Sequence, residues 1–275
     1  MLPDPIFLNV HMYGVMIAVG LMLAFLVLFY YGKHQHVDAG FLDFLFYNGV
    51  GSIAVGFGSA ALFQAIYNYI EDPSKGFRFN GGITFLGGLI GGATCFLLVY
   101  VISKRWRKSG SLAEIFALVP CCITIAHAFG RVGCFFAGCC HGVAWNGFCA
   151  VKFPHLSYTV HPTQLYEATF LLLLFGVMSW LFLKKKFYHN MSVYLISYGI
   201  WRFCLEFIRG DHRGELVSGI SPSQFWSLLM VVLGVALIFV MNYLAKRPMP
   251  IAEESTPADE PAIAEAEQAE EATEE

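Results

Sequence analysis

The sequence predicts an all-α integral membrane protein with seven transmembrane helices. Three observations carry that expectation. The 275-residue chain is 57% hydrophobic but only 13% charged, well under the roughly 25% charge of soluble domains. Apolar runs recur along the chain, each near the roughly 20 residues that match the hydrocarbon thickness of a bilayer. Those runs are continuous rather than alternating, which favours helices over a closed barrel.

The expected spans are residues 13–31, 41–69, 82–103, 113–130, 163–183, 191–208 and 221–244. The first has no basic segment before it and reads as a retained anchor rather than a cleaved signal. The second is long, and the sixth is unusually polar. The fifth opens at Pro162 and Thr163, a helix-start pattern. Lys33, the group Lys104, Arg105, Arg107 and Lys108, the run Lys184, Lys185 and Lys186, and the pair Lys246 and Arg247 flank the spans on one side, 10 basic residues in all. The other side holds six (Lys75, Arg78, Arg131, Lys152, Arg209 and Arg213), diluted by Glu71, Asp72, Asp211 and Glu215. The excess of positive charge marks the cytoplasmic side. The N-terminus is therefore expected in the periplasm and the C-terminus in the cytoplasm, with the segments 71–81, 131–162 and 209–220 sharing the outer face.

Net charge is −3, yet 10 of the 20 acidic residues lie between Glu253 and Glu275. The domain division expected is a transmembrane domain over 1–247 and a disordered acidic cytoplasmic tail over 248–275. The basic excess left in the first part sits beside spans, so nucleic acid is not an expected partner.

Polar chemistry concentrates in two segments. In the sixth span, Tyr198, Arg202 and Glu206 recur every four residues and share a helical face, with Arg209 a turn beyond. Intramembrane Arg and Glu either line a cavity or form an ion pair that holds the bundle. The second segment, GRVGCFFAGCCHG at 130–142, reads as the irregular end of a span. Its free backbone N–H groups beside Arg131 suit a phosphate, and its small residues equally suit a re-entrant turn. Cys134, Cys139, Cys140 and Cys149 raise a disulfide, with Cys134 or Cys149 paired to one of the adjacent two. The spacing C-x4-C-C-H-x7-C matches no common zinc pattern, so neither metal nor cofactor is expected. His11, His127 and His161 lie near outer span ends.

Five motifs in order, HMYG at 11–14, GGITFLGGLIGG at 81–92, residues 130–142, HPTQLYEA at 161–168 and YGIWRFCLEFIRGDHRG at 198–214, resemble the prolipoprotein diacylglyceryl transferase family of bacterial inner membranes. The resemblance implies a seven-helix enzyme with an outer N-terminus. It implies transfer of diacylglyceryl from phosphatidylglycerol to the lipobox cysteine of prolipoprotein signal peptides, with membrane lipid as surroundings. It assigns Arg131 and Arg202 to the phosphate, Glu206 to holding Arg202, and Tyr13, Gly142, Tyr198 and Arg209 to the substrate pocket. The sequence departs from the family pattern where Leu86 replaces a histidine, Cys134 and Ala137 replace asparagines, and Cys139 replaces a glutamate. His141, inside the signature loop, is the expected substitute base, with His127 and His161 behind it. The alternatives are a paralogue with another acceptor, or a non-catalytic lipid-binding or thiol-redox membrane protein.

The charge asymmetry predicts that reporters fused after Lys108, Lys186 and Arg247 read as cytoplasmic, and reporters near Asn146 and Arg213 as external. A cytoplasmic signal at Asn146 would invert the orientation.

Overall fold

The computed structural model describes residues 11–79, 82, 84–107, 109–185, 187–210 and 220–246. Gly81, Lys108, Lys186, Arg213, Arg247 and the acidic tail expected over 248–275 lie outside the described residues. Seven helices are long and apolar enough to cross a membrane: α1 (Met12–His34), α2 (Ala39–Glu71), α3 (Phe85–Ser103), α4 (Leu112–Ala137), α5 (Thr163–Lys185), α6 (Asn190–Leu205) and α7 (Pro222–Lys246). Between α4 and α5 a two-stranded antiparallel ribbon pairs β1 (Val151–Lys152) with β2 (Thr159–Val160). A single 3-10 turn, Glu206–Ile208, continues α6. The chain to Ile238 is one compact unit, and the last turns of α7, from Phe239, fall in a second.

The helix ends follow local chemistry. The Asp38 carboxylate caps α2 by accepting from the Phe41 N–H at 2.8 Å. Ser111 and Glu114 form a reciprocal capping box at the start of α4, so that two otherwise orphaned N–H groups are satisfied. α4 runs seven residues past the expected end at 130, to Ala137, and stops at Gly138, whose φ of 73° is left-handed. Arg131 and Cys134 therefore sit on helix, not on the irregular backbone expected there. The reason is compositional: Cys, Phe and Ala are compatible with helix, and the glycine that ends it is Gly138 rather than Gly130. At about 1.5 Å per residue, α4 is ~39 Å long and α2 ~50 Å, so both tilt or project beyond a core of ~30 Å.

In a bilayer the lipid is as apolar as a leucine, so helices associate by close packing of small residues. α2 and α3 pair this way. A Cβ on Gly56 would lie 3.1 Å from the Gly88 carbonyl oxygen, and one on Gly92 would lie 3.1 Å from that of Ser52. Ser59 Oγ then donates to the Gly87 carbonyl at 2.8 Å. α1 packs on α4, and α4 in turn on α5 and α6. Their shared core includes Leu28, Ile115, Leu118, Leu171 and Met178. Buried Asn190 ties α6 to both neighbours through the Ala117 and Met178 carbonyls, at 2.9 and 3.2 Å.

Gly56→Leu and Gly92→Leu are each predicted to lower the thermal midpoint in detergent, through an overpacking cost of about 1–3 kcal/mol. Gly58→Leu on the same helix, where nothing lies within 4 Å of the added Cβ, leaves the midpoint unchanged.

Candidate active site

Ionised side chains inside an apolar bundle persist only when paired or facing a polar cavity. Two such centres are found among the described residues. In the first, Glu167 on the second turn of α5 keeps 1% of its side chain exposed and receives Arg131 Nε from α4 at 3.0 Å. The Arg131 Nε–H is not aimed at the oxygen, so this contact is an ion pair rather than an aligned hydrogen bond. Tyr198 of α6 donates its hydroxyl to the same Glu167 oxygen at 2.6 Å. His127, one turn before Arg131, places Nδ1 3.2 Å from the Tyr194 hydroxyl. Its Nε2 is 3.4 Å from the Tyr198 hydroxyl and 3.9 Å from Glu167. One carboxylate oxygen thus gathers groups from α4, α5 and α6.

The second centre is Glu206. Arg202 approaches it at 2.8 Å and Arg209 at 3.7 Å, and Ser221 Oγ donates to its other oxygen at 2.9 Å. Arg202 also donates to Ser223 Oγ at 3.0 Å, which links α6 to the start of α7. Arg202 lies within charge-interaction range of both Glu167 and His127, so the two centres share one field. Exposure separates the arginines: 20% of the Arg131 side chain remains open, against 10% for Arg202 and 3% for Arg209. Arg131 is the guanidinium best placed to take an anion from outside the protein.

The loop after α4 is tied to the residues that follow α6 and to the start of α5. Gly142 pairs with Arg209 as an isolated β-bridge. Its N–H donates to the His161 carbonyl at 2.8 Å, and the Val143 N–H donates to the Ile208 carbonyl at 3.0 Å. A Cβ on Gly142 would lie 2.6 Å from the Ile208 carbonyl oxygen and 2.7 Å from His161 Cβ, so only glycine fits. Thr163 Oγ1 donates to the Cys140 carbonyl at 2.7 Å, and Gln164 Nε2 donates to the Cys139 carbonyl. The signature loop is thereby fastened to the start of α5 and the end of α6.

Among the described residues none of the eight cysteines is in a disulfide. Cys134, Cys139 and Cys140 converge, with their sulfurs all within 4.8 Å of one another. Cys149, a candidate partner for them in a disulfide, is exposed and is not one of this group. Hydrogen bonds from the Cys134 and Cys139 thiols, with Arg209 alongside, hold the Cys140 thiol well below the usual thiol range. Tyr13 of α1 lies within charge-interaction range of all three cysteines and of Arg131, and its ring packs where a Cβ on Gly133 would sit.

The sequence expectation joined Tyr198, Arg202, Glu206 and Arg209 on one side of α6, and the structure brings Arg131 to Tyr198 through their shared partner Glu167. It does not bring His141. That ring turns Nδ1 to the Gly142 carbonyl at 3.0 Å and packs beside Phe153 and His155. Among the described residues no hydrogen bond or ion pair joins it to Arg131, Arg202 or Glu167. His161 stacks on Trp145 at 4.6 Å, and Leu86 lies on the first turn of α3 with nothing to titrate. Glu167 was missed. Its signal was present, since an acid in the first turns of an apolar span needs a partner as much as Arg202 does. Gln164, Glu167 and Leu171, all buried, also trace one inward helical face.

The Glu167 centre carries a stability prediction. Glu167→Gln leaves Arg131 without its counter-charge and is expected to cost roughly 3 kcal/mol, the low end for a buried pair because Arg131 stays partly open. In a double-mutant cycle, Arg131→Met in the Glu167→Gln background restores part of that loss. Additive losses in detergent unfolding would contradict the pairing.

Comparison with known proteins places the chain in a family. A family model described as prolipoprotein diacylglyceryl transferase matches residues 5–240. A protein of Clostridium tetani named phosphatidylglycerol–prolipoprotein diacylglyceryl transferase is 34% identical, over 86% of this chain and 93% of its own length. A Clostridium perfringens protein of the same name, numbered 2, is 32% identical over 87% of this chain and 94% of its own length. The Pseudoalteromonas translucida protein so named is 32% identical over 84% of this chain and 88% of its own length. A seven-helix membrane protein with its arginines and acids gathered in this way, matched over nearly the whole bundle, belongs to the prolipoprotein diacylglyceryl transferase family.

Proposed function

We propose that this chain works in the bacterial inner membrane, moving the diacylglyceryl group of phosphatidylglycerol onto the lipobox cysteine of prolipoprotein signal peptides. The observation that carries the reading is the pair of arginine–carboxylate contacts, Arg131 with Glu167 and Arg202 with Glu206, inside one apolar bundle. The relatives that match most of the chain support it by the activity in their names.

The chemistry explains why such a site needs fixed cations. The acceptor thiol gives up its proton, and its sulfur attacks the glyceryl carbon esterified to phosphate. The carbon–oxygen bond breaks, its electron pair leaves with the phosphate, and a thioether remains. The phosphodiester carries one negative charge, whereas the released glycerol phosphate carries about two near neutral pH. Charge therefore grows on the leaving oxygens in the transition state, where preorganised guanidinium groups act most strongly. Arg131 presents its open flank to the phosphate, and Arg202 supplies the second charge from deeper in the bundle. Glu167 and Glu206 fix the two forks before lipid arrives, and Tyr198 holds Glu167 in turn. His127 acts as a positioning residue through Tyr198 and Tyr194. Gly142 and Arg209 hold the signature loop against α6, and Tyr13 faces the acceptor side. The active face is the periplasmic one and the acidic tail is cytoplasmic, as the charge distribution predicts.

Arg131→Ala and Arg202→Ala are predicted to abolish modification of a lipobox peptide by phosphatidylglycerol vesicles, while the protein still inserts. Lysine at either position restores only part of the rate, because it lacks the planar two-donor fork. Retained activity in both alanine variants would reject the phosphate role. His127→Ala is predicted to slow transfer more than His141→Ala, in line with which ring lies in the buried cluster. The reverse order would return the role of base to His141.

A further inference from the structure

Three cysteines converge at the end of α4. Cys134 is on the last turn of α4. Two left-handed residues then turn the chain back on that helix: Gly138 at φ 73° and Cys140 at φ 63°. A left-handed conformation is uncommon for a residue with a Cβ and persists only where its surroundings impose it. Here the Cys139 N–H donates to the Cys134 carbonyl at 3.2 Å, and Thr163 and Gln164 grip the next two carbonyls. The result is three soft donors on a rigid backbone, their sulfurs within 4.8 Å of one another. Thiolates around one tetrahedral Zn2+, with bonds of about 2.3 Å, stand roughly 3.8 Å apart. A disulfide uses two sulfurs and leaves the third unexplained, and the adjacent Cys139 and Cys140 are poor partners for each other.

We propose that Cys134, Cys139 and Cys140 form a three-thiolate site for one thiophilic dication such as Zn2+, its fourth position open to the acceptor cysteine. The donor set selects the ion, since thiolates favour zinc over the hard cations that take oxygen ligands. No fourth His, Cys, Asp or Glu among the described residues joins the group, which is the pattern of a reactive rather than a closed structural zinc centre. Three thiolates on a dication carry one net negative charge. Arg131 lies within charge-interaction range of Cys134, and Arg209 of Cys140, so the excess is compensated. The site also shares Arg131 and Tyr13 with the phosphate centre, which brings an incoming sulfur and the glyceryl carbon together.

This use of the site rests on the proposed transferase reading. The acceptor thiol binds as thiolate and releases its proton to solvent. Its sulfur pair forms the new carbon–sulfur bond as the carbon–oxygen bond breaks toward phosphate, and the neutral thioether, a weak ligand, leaves. The metal changes neither oxidation state nor number. Such a site supplies the thiol activation for which Leu86 offers no group.

The test is Co2+ titration of the purified, reduced full-length chain in detergent, followed by its sulfur-to-cobalt charge-transfer absorption. One ion per chain with three-thiolate intensity is expected, displaced by Zn2+. Cys134→Ser, Cys139→Ser and Cys140→Ser each lose that stoichiometric band, whereas Cys149→Ser and Cys204→Ser keep it. Absence of the band in the wild type, or its persistence in Cys139→Ser, overturns the site. A disulfide among the three that forms equally fast with and without Zn2+ does the same. A lipobox peptide should shift the band and its Cys→Ser analogue should not. An unmoved band, or full transfer by chelator-treated protein, overturns the open position. A chain that binds metal and peptide but releases no glycerol phosphate from phosphatidylglycerol leaves the metal site standing and refutes the transferase reading instead.

Discussion

The bundle depends on a carboxylate with almost no contact with solvent. Glu167 keeps 1% of its side chain exposed, yet it is surrounded by Arg131, Tyr198 and His127. An unpaired charge at that depth would cost several kcal/mol, and the pairing offsets the penalty only if the partners arrive in fixed positions. That requirement ties α4, α5 and α6 to one geometry. It also leaves part of the Arg131 and His127 side chains open beside the buried carboxylate. The arginines can therefore be rigid before substrate binds, which is the condition for stabilising charge that appears only during the reaction.

The signature loop is the second constraint. It must leave α4 and enter α5 without leaving backbone polar groups bare in a low-dielectric setting. The chain does this with Gly142, whose missing Cβ admits the Ile208 carbonyl, and with the Thr163 and Gln164 side chains, which donate to the Cys140 and Cys139 carbonyls. The same fastening presses three thiols together. Cys134 and Cys139, which the family resemblance sets against an asparagine and a glutamate, thereby meet Cys140 as a group of soft donors.

Much of the fold was legible because hydrocarbon thickness, continuous apolar runs and flanking charges are local properties. All seven spans lie close to where composition placed them. The end of α4 was not, since Gly130 and Gly138 are equally good stops on paper and only Gly138 adopts the left-handed cap. In the site, Arg202 and Glu206 were readable from their four-residue spacing on a single helix. The partner of Arg131 was not, because Glu167 reaches it from another helix and no spacing rule links residues 36 positions apart. The thiols were read from sequence as partners in a disulfide, and their three-way convergence was not legible for a related reason: Cys134 meets Cys139 and Cys140 through a reversal at Gly138 that no zinc spacing pattern encodes. His141 drew attention by its place in the motif, but its ring is committed to the loop's own carbonyl.

If the two arginine–carboxylate pairs hold the phosphate of a lipid during transfer to a protein thiol, the chain rescues a bacterium depleted of its own prolipoprotein diacylglyceryl transferase. The wild-type chain is then expected to restore growth and lipid-modified lipoproteins, and a membrane-inserted Arg131→Ala chain to do neither. Failure of the wild type to rescue, or equal rescue by Arg131→Ala, would contradict that role.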